Sequence, residues 1–269
     1  MNLFPRYAAA VAGVVQRDFA LFVSYRTVFF TQCLSLAFSV TLFYYLSRLV
    51  TIESFGSPDR YFEFVLIGMV ILQAVTATLA TLPGTVRQEL VAGTLERLVL
   101  SPFGAVGGVL AMVIFPFIKA TIFGMVMIAI AMVAYGLELQ WPTALLAFPV
   151  AALGALAFTP FSLLFTAAVF AFKQAPGTGF VLSAVTLVSG MYFPVELLPG
   201  WIQWASEVQP FTPSVDLMRH LLVGRELDGS AWLEVARLVG FGVVLLPVGV
   251  VAMWTALRFA QRRGTVTEY

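Results

Sequence analysis

The chain has 269 residues, 60% of them hydrophobic and 11% charged, with a formal net charge of +1. Soluble domains carry about 25% charged residues, so a water-soluble globule is excluded and an all-α integral membrane protein is expected. Near-neutral charge gives no electrostatic purchase on nucleic acid, and a single cysteine (Cys33) with a single histidine (His220) leaves no internal disulfide and no multi-cysteine metal site.

Residues 1–26 contain FPRYAAAVAGVVQRDFALFVSYR. Arg6, Arg17, Asp18 and Arg26 interrupt any apolar h-region, so this is not a signal peptide. The stretch is amphipathic and fits a helix lying along the membrane face; an ordinary flanking segment is the alternative. A bilayer core takes roughly 20 apolar residues per helix. Six runs qualify, at about 27–49, 62–82, 105–134, 144–171, 177–195 and 235–259. Pro116, Pro149, Pro160 and Pro247 fall inside runs and predict kinks.

The basic residues orient the runs. With the N-terminus cytoplasmic, Arg6, Arg17, Arg26, Arg87, Arg97, Lys173, Arg258, Arg262 and Arg263 all lie inside. The short outer loops then hold Arg48 and Arg60. Arg219, Arg225 and Arg237 fall in the long loop before the last run, where the positive-inside rule is weaker. A multi-pass protein of the cell (inner) membrane with both termini cytoplasmic is expected.

After the second run comes RQELVAGTLERLVL, residues 87–100. On a helix of about 100° per residue, Val91, Leu95, Leu98 and Val99 share one side. Glu89 and Glu96, seven apart, stand above one another on the other side with Arg97 nearby. A cytoplasmic partner gripping the carboxylate face is one reading; a solvated helix floating in the headgroups is the other.

Before the last run comes SGMYFPVELLPGWIQWASEVQPFTPSVDLMRHLLVG, residues 189–224. Its prolines and the interface-seeking Trp201 and Trp204 predict two short helices, about 196–207 and 214–223. Ser214 is the expected N-cap of the second, and Leu217, Met218, Leu221 and Leu222 its apolar stripe. They are read as a re-entrant pair on the outer side; a surface loop with two tryptophan anchors is the alternative.

Together these stretches resemble the permease subunit of a type-2 ABC exporter, as in polysaccharide, lipo-oligosaccharide and drug export. GTLERLVLSPFG (residues 93–104) is similar to the family's coupling segment, and SGMYFPVELLPGWIQWASEVQPFTPSVDLMR to its longer, more specific outer signature. The resemblance spans nearly the whole chain. It implies one transmembrane domain over 1–269, with an interfacial helix at 1–26, spans 1–2 at 27–82 and a cytoplasmic coupling helix at 84–101. Spans 3–5 then occupy 103–195, the re-entrant helices 196–224 and span 6 235–260. It further implies that Arg87, Glu89, Thr94, Glu96 and Arg97 meet a separate ABC ATPase, with a lesser contact at Lys173. The N-terminal helix would brace against the same ATPase. The outer pair, with Pro194, Trp201 and Trp204, would gate the outer end. Family members assemble as two permeases with two ATPases.

Independently, a Walker A loop needs G-x-x-x-x-G-K-(S/T), and neither Lys119 nor Lys173, the only lysines, lies in one. No cofactor is expected on this chain; ATP and Mg2+ would sit on the partner. Lys119 departs from the family pattern, because it lies inside the third span beside Pro116. Two readings are open: a contact with an anionic substrate, or an ammonium that snorkels to the interface. Phe38, Tyr44 and Tyr45 in FFTQCLSLAFSVTLFYY are candidate pathway aromatics, or simply face lipid or pack the bundle. Gly124, Ala151, Gly154 and Ala155 suit close helix packing.

A transporter driven by an ion gradient is the alternative function, though the spans carry no Asp, Glu or His at mid-depth for a coupling ion. A membrane enzyme needs an acid, base or metal cluster. Asp216 and His220, one turn apart, could pair, but no nucleophile accompanies them, and Asp216, Arg219 and His220 read as the polar face of an interfacial helix. Glycan, glycolipid, lipid and drug all remain open as substrates, with membrane lipids and a second copy of the chain as further partners.

Overall fold

The computed structural model describes residues 4–50, 55–93, 104–172, 177–227 and 229–262, and every regular element among them is helical. Helix α1 (Phe4–Ser24) is separated from α2 (Arg26–Leu49) by Tyr25 alone, whose φ of −97 and ψ of 61 break the helical path. Helix α3 (Pro58–Leu79) starts where Ser57 accepts the Arg60 N–H and Pro58 supplies a preset φ. It runs on through Ala80 into α4 (Thr81–Val91). Next come α5 (Gly104–Ala111), α6 (Ile114–Tyr135), a single turn at Trp141–Ala144, and α7 (Ala147–Phe172). Three shorter helices follow, α8 (Thr178–Val188), α9 (Gly200–Glu207) and α10 (Phe211–Val223), before the long α11 (Ala231–Arg262).

Five stretches are long and apolar enough to cross a membrane: α2, α3 with α4, 107–135, α7 and α11. The centre of the bundle is α3 and α7, each 56% buried along its apolar window, whereas α2 and α11 are 11% buried. Ser162 on α7 donates to the Thr78 carbonyl of α3, so a buried hydroxyl ties the two central helices. Close approach elsewhere needs missing side chains. A Cβ on Gly249 of α11 would lie 2.9 Å from the Pro160 carbonyl of α7, and one on Gly154 would lie 2.7 Å from Ser214 Oγ on α10. Small residues at such crossings let helix axes approach without a hydrophobic driving force.

Four expectations need correcting. The run at 177–195 is helical only over the 11 residues of α8, about 16 Å long, roughly half the hydrocarbon thickness. The segment 87–100 is not one helix. It stops at Val91, and Gly93 takes φ +68, a left-handed conformation that ends the helix. Val91, expected on the apolar side, is exposed. The prolines divide in two. Pro116 and Pro149 sit in the first turns of α6 and α7 and so mark where those helices begin. Pro160 and Pro247 lie within continuous helices. Lastly, α10 starts at Phe211, so Ser214 is not its N-cap; the buried Ser214 hydroxyl donates back to the Pro210 carbonyl at 2.7 Å. Its expected stripe holds, with Leu217, Met218 and Leu222 buried.

Candidate functional site

The two ends of α3–α4 carry the chain's polar constructions. At the α4 end, Glu89 accepts from Arg17 Nη1 of α1 at 3.2 Å, and Arg17 also bonds Asp18 at 3.0 Å. Glu89 is thus engaged by Arg17 within the chain. Arg87 is exposed on the same helix. Thr94, Glu96, Arg97 and Lys173 lie outside the described residues. Phenylalanines fix α1 against α6: Phe19 and Phe22 meet Phe115 edge-on at 6.4 and 5.9 Å, and Phe22 meets Phe123 at 6.3 Å.

The Arg17–Glu89 pair is partly solvated, and such pairs contribute about 0.2–1 kcal/mol. Charge reversal at Arg17 alone (R17E) is expected to lower stability within that range, and R17E/E89R to recover most of it. Thermal unfolding of the four proteins of this double-mutant cycle measures the coupling; strict additivity would mean the pair does not form.

Between α1, α2, α3–α4 and α6 lies a crevice of about 570 Å³ that contains Arg17, Glu89 and Lys119. Lys119 stands in the second turn of α6, with Nζ 5.9 Å from the Phe22 ring centroid and 5.8 Å from that of Phe123. The other proposed pathway residues do not join it there. Tyr44 stacks on Tyr135 at 4.2 Å, and its hydroxyl accepts from Arg48 at 2.6 Å. Phe38 and Tyr45 are 69% and 61% exposed, on an outward stripe of α2 with Phe30, Leu34, Leu42 and Leu49.

At the opposite end Arg219 of α10 is 1% exposed. Its Nη2 donates to the carbonyls of Phe64 (2.9 Å), Gly190 (3.0 Å) and Met191 (3.1 Å), and Nε again to Phe64 (3.2 Å). Nη1 reaches Asp216 at 3.4 Å, and Cζ lies 3.3 Å from the Phe64 ring centroid. A planar five-donor fork is the side chain suited to gathering several carbonyls. It holds the turn after α8 against α3. That turn can sit so close because α3 has Gly68 there: a Cβ would lie 2.7 Å from Met191 Cγ and 3.0 Å from the Met191 carbonyl.

Arg219 is therefore not on a polar face, as the sequence reading had it. Asp216 pairs with Arg219 rather than His220, whose Nδ1 bonds the Arg225 carbonyl at 2.9 Å. The signal was present: Val215, Met218, Arg219 and Leu222 follow i, i+3, i+4, i+7 spacing, so Arg219 belongs to the buried stripe, and all four are buried. Of the expected outer-gate residues, Pro194 is buried beside the turn, whereas Trp201 and Trp204 are 75% and 62% exposed. A polar cavity of about 420 Å³ adjoins the staple, lined by Asp216, Arg225, Glu226, Glu234 and Arg237 among others. Among the described residues no three His, Cys, Asp or Glu side chains are grouped to hold a metal.

Five apolar crossings with polar constructions at both ends of the central helix define a multi-pass membrane protein. Residues 39–251 match the family described as ABC-2 family transporter protein, and the chain belongs to that family. It is similar to Nodulation protein J of Rhizobium meliloti, 30% identical over 62% of this chain and 64% of that protein. It is also similar to Nodulation protein J of Sinorhizobium fredii, 30% identical over 68% of this chain and 70% of that one. The namesake of Rhizobium leguminosarum bv. trifolii is 36% identical over 32% of this chain and 33% of its own length. The chain thus matches less than two thirds of the length of the Rhizobium meliloti relative.

Proposed function

We propose that the chain is the membrane-spanning subunit of an ATP-driven exporter, working as two copies with two separate ABC ATPase subunits that carry the ATP and Mg2+. Both termini lie in the cytoplasm on this reading. The fifth crossing is made by α8 together with the turn after it and the α9–α10 pair, which re-enters from the outer side.

The observation that carries the reading is the continuous helical run from Pro58 to Val91. Its 34 residues span about 50 Å, well beyond a hydrocarbon core of about 30 Å. The end beyond the membrane is braced by Arg17 on Glu89; the other end carries Phe64 and Gly68, which seat the stapled turn. A push on α4 by a closing ATPase would reach the outer turn through a helix that is stiff and central. The segment after Gly93, with Thr94, Glu96 and Arg97, is the docking element on this reading; Arg87 flanks it, and Lys173 adds a second contact. On this reading the cargo is a glycan, glycolipid, lipid or drug, the classes carried by the exporters that the two signature stretches resemble.

The test is co-expression with an ABC ATPase subunit from the same genome, followed by purification in detergent. The tagged chain is expected to retain the ATPase, and Glu96→Lys to release it while the chain stays membrane-inserted and monodisperse. A chain that never retains an ATPase, or retains it equally with Glu96→Lys, contradicts the assignment.

A further inference from the structure

The crevice at the α4 end contains a charge that the described chain does not neutralise by contact. The Lys119 ammonium has no carboxylate and no hydrogen-bond acceptor among the described residues, only the two phenylalanine faces. The carboxylates that share the crevice, Asp18 and Glu89, both bond Arg17 instead. Ionisable side chains within membrane spans are costly, and where they occur they face an interior path or a partner. Two further polar groups point the same way. Gln32 of α2 and Gln73 of α3 line this crevice from within apolar spans, and neither amide is hydrogen-bonded among the described residues. Leu21, Phe22, Phe115 and Phe123 form an apolar wall, while Thr76, Thr81, Thr85 and Gln88 of α3–α4 add further polar groups to the lining. The volume of about 570 Å³ lies within the roughly 300–1,000 Å³ range of small-molecule sites.

We infer that this crevice binds the head of an anionic amphiphile. Its acid group sits on Lys119, its hydroxyls or amides meet Gln32 and Gln73, and its hydrocarbon leaves along the phenylalanine wall. The chemistry shared by the possible ligands is an oxyanion beside hydrogen-bonding groups, whether it arrives on a lipid or as a free ion. The inference takes its purpose, loading of a cargo before export, from the function proposed above, but its test needs no ATPase.

The chain in nanodiscs of pure phosphatidylcholine is titrated with radiolabelled lysophosphatidic acid, and in parallel with the monoacylglycerol of the same acyl chain. One lysophosphatidic acid per chain is expected, held at least about tenfold more tightly than the phosphate-free lipid, a difference of about 1.4 kcal/mol. Lys119→Gln is expected to abolish the preference, Lys119→Arg to keep it, and Gln73→Leu to weaken binding of the acid. Gel filtration checks that each variant is folded, and Lys119→Arg keeps the inference testable if Lys119→Gln is not. Millimolar inorganic phosphate should leave the lipid bound; displacement would overturn the lipid half and assign the site to a free anion. A preference that survives Lys119→Gln, or many lipids bound per chain as in an annulus, overturns the inference. ATPase retention by the wild-type chain is measured separately, so failure of the lipid site leaves the export reading intact, and the reverse.

Discussion

Arg219→Met is expected to be the most damaging single substitution described here. It removes the donors that hold the Phe64, Gly190 and Met191 carbonyls and leaves Asp216 without its guanidinium. Truncating one side of a buried, hydrogen-bonded charge typically costs about 3–5 kcal/mol, and here the three carbonyls stay buried without this donor while the Asp216 side chain, 41% exposed, can turn to water. Arg219→Lys should recover only a minor part. An ammonium keeps the charge, but it has neither the planar fork nor the face that stacks on Phe64 at 3.3 Å. Thermal unfolding in detergent, followed by the loss of the monodisperse gel-filtration peak, reads the effect. Arg219→Met as stable as wild type would mean that the staple contributes nothing.

Gly68→Val is the second large effect. The new Cβ meets Met191 at both its side chain and its carbonyl, so the turn after α8 must lift from α3 rather than merely rotate one side chain. Overpacking of this kind costs about 1–3 kcal/mol. Both substitutions release the same turn, so the double variant is expected to cost less than the sum of the two. The same unfolding measurement checks this; an additive double variant would show that Arg219 and Gly68 act on different structures.

The long crossings were legible because a bilayer demands about 20 apolar residues, and α2, α3, α7 and α11 satisfy that in plain sequence. The two short helices near 196–223 were legible from their prolines and stripe. The end of the fifth run was harder. Ser189 and Tyr192 lie in an otherwise apolar stretch, and only the φ +73 of Gly190 reveals that the chain turns there. The Ala-Gly pair at 92–93 carried a readable stop signal for α4, outweighed in the sequence reading by the heptad spacing of Glu89 and Glu96. Arg219 could have been found from its place on the apolar stripe, since an arginine in that register must be buried and satisfied or must break the helix face. Glu89 could not: its partner Arg17 lies 72 residues away, and no local pattern specifies that contact. The same is true of the crevice around Lys119, which draws its walls from four separate segments. Local sequence reports the period of each helix, whereas these sites are defined by which helices meet.

The central claim, that this chain is a permease driven by a separate ATPase, is tested most directly by the mass of the complex purified through a tag on this chain after co-expression with an ABC ATPase subunit from the same genome. Light scattering with detergent subtracted should give two copies of this chain and two ATPase subunits. It should fall to a particle free of ATPase when Glu96 is changed to Lys. A stable particle containing only this chain, purified from cells that make both proteins, would contradict the account.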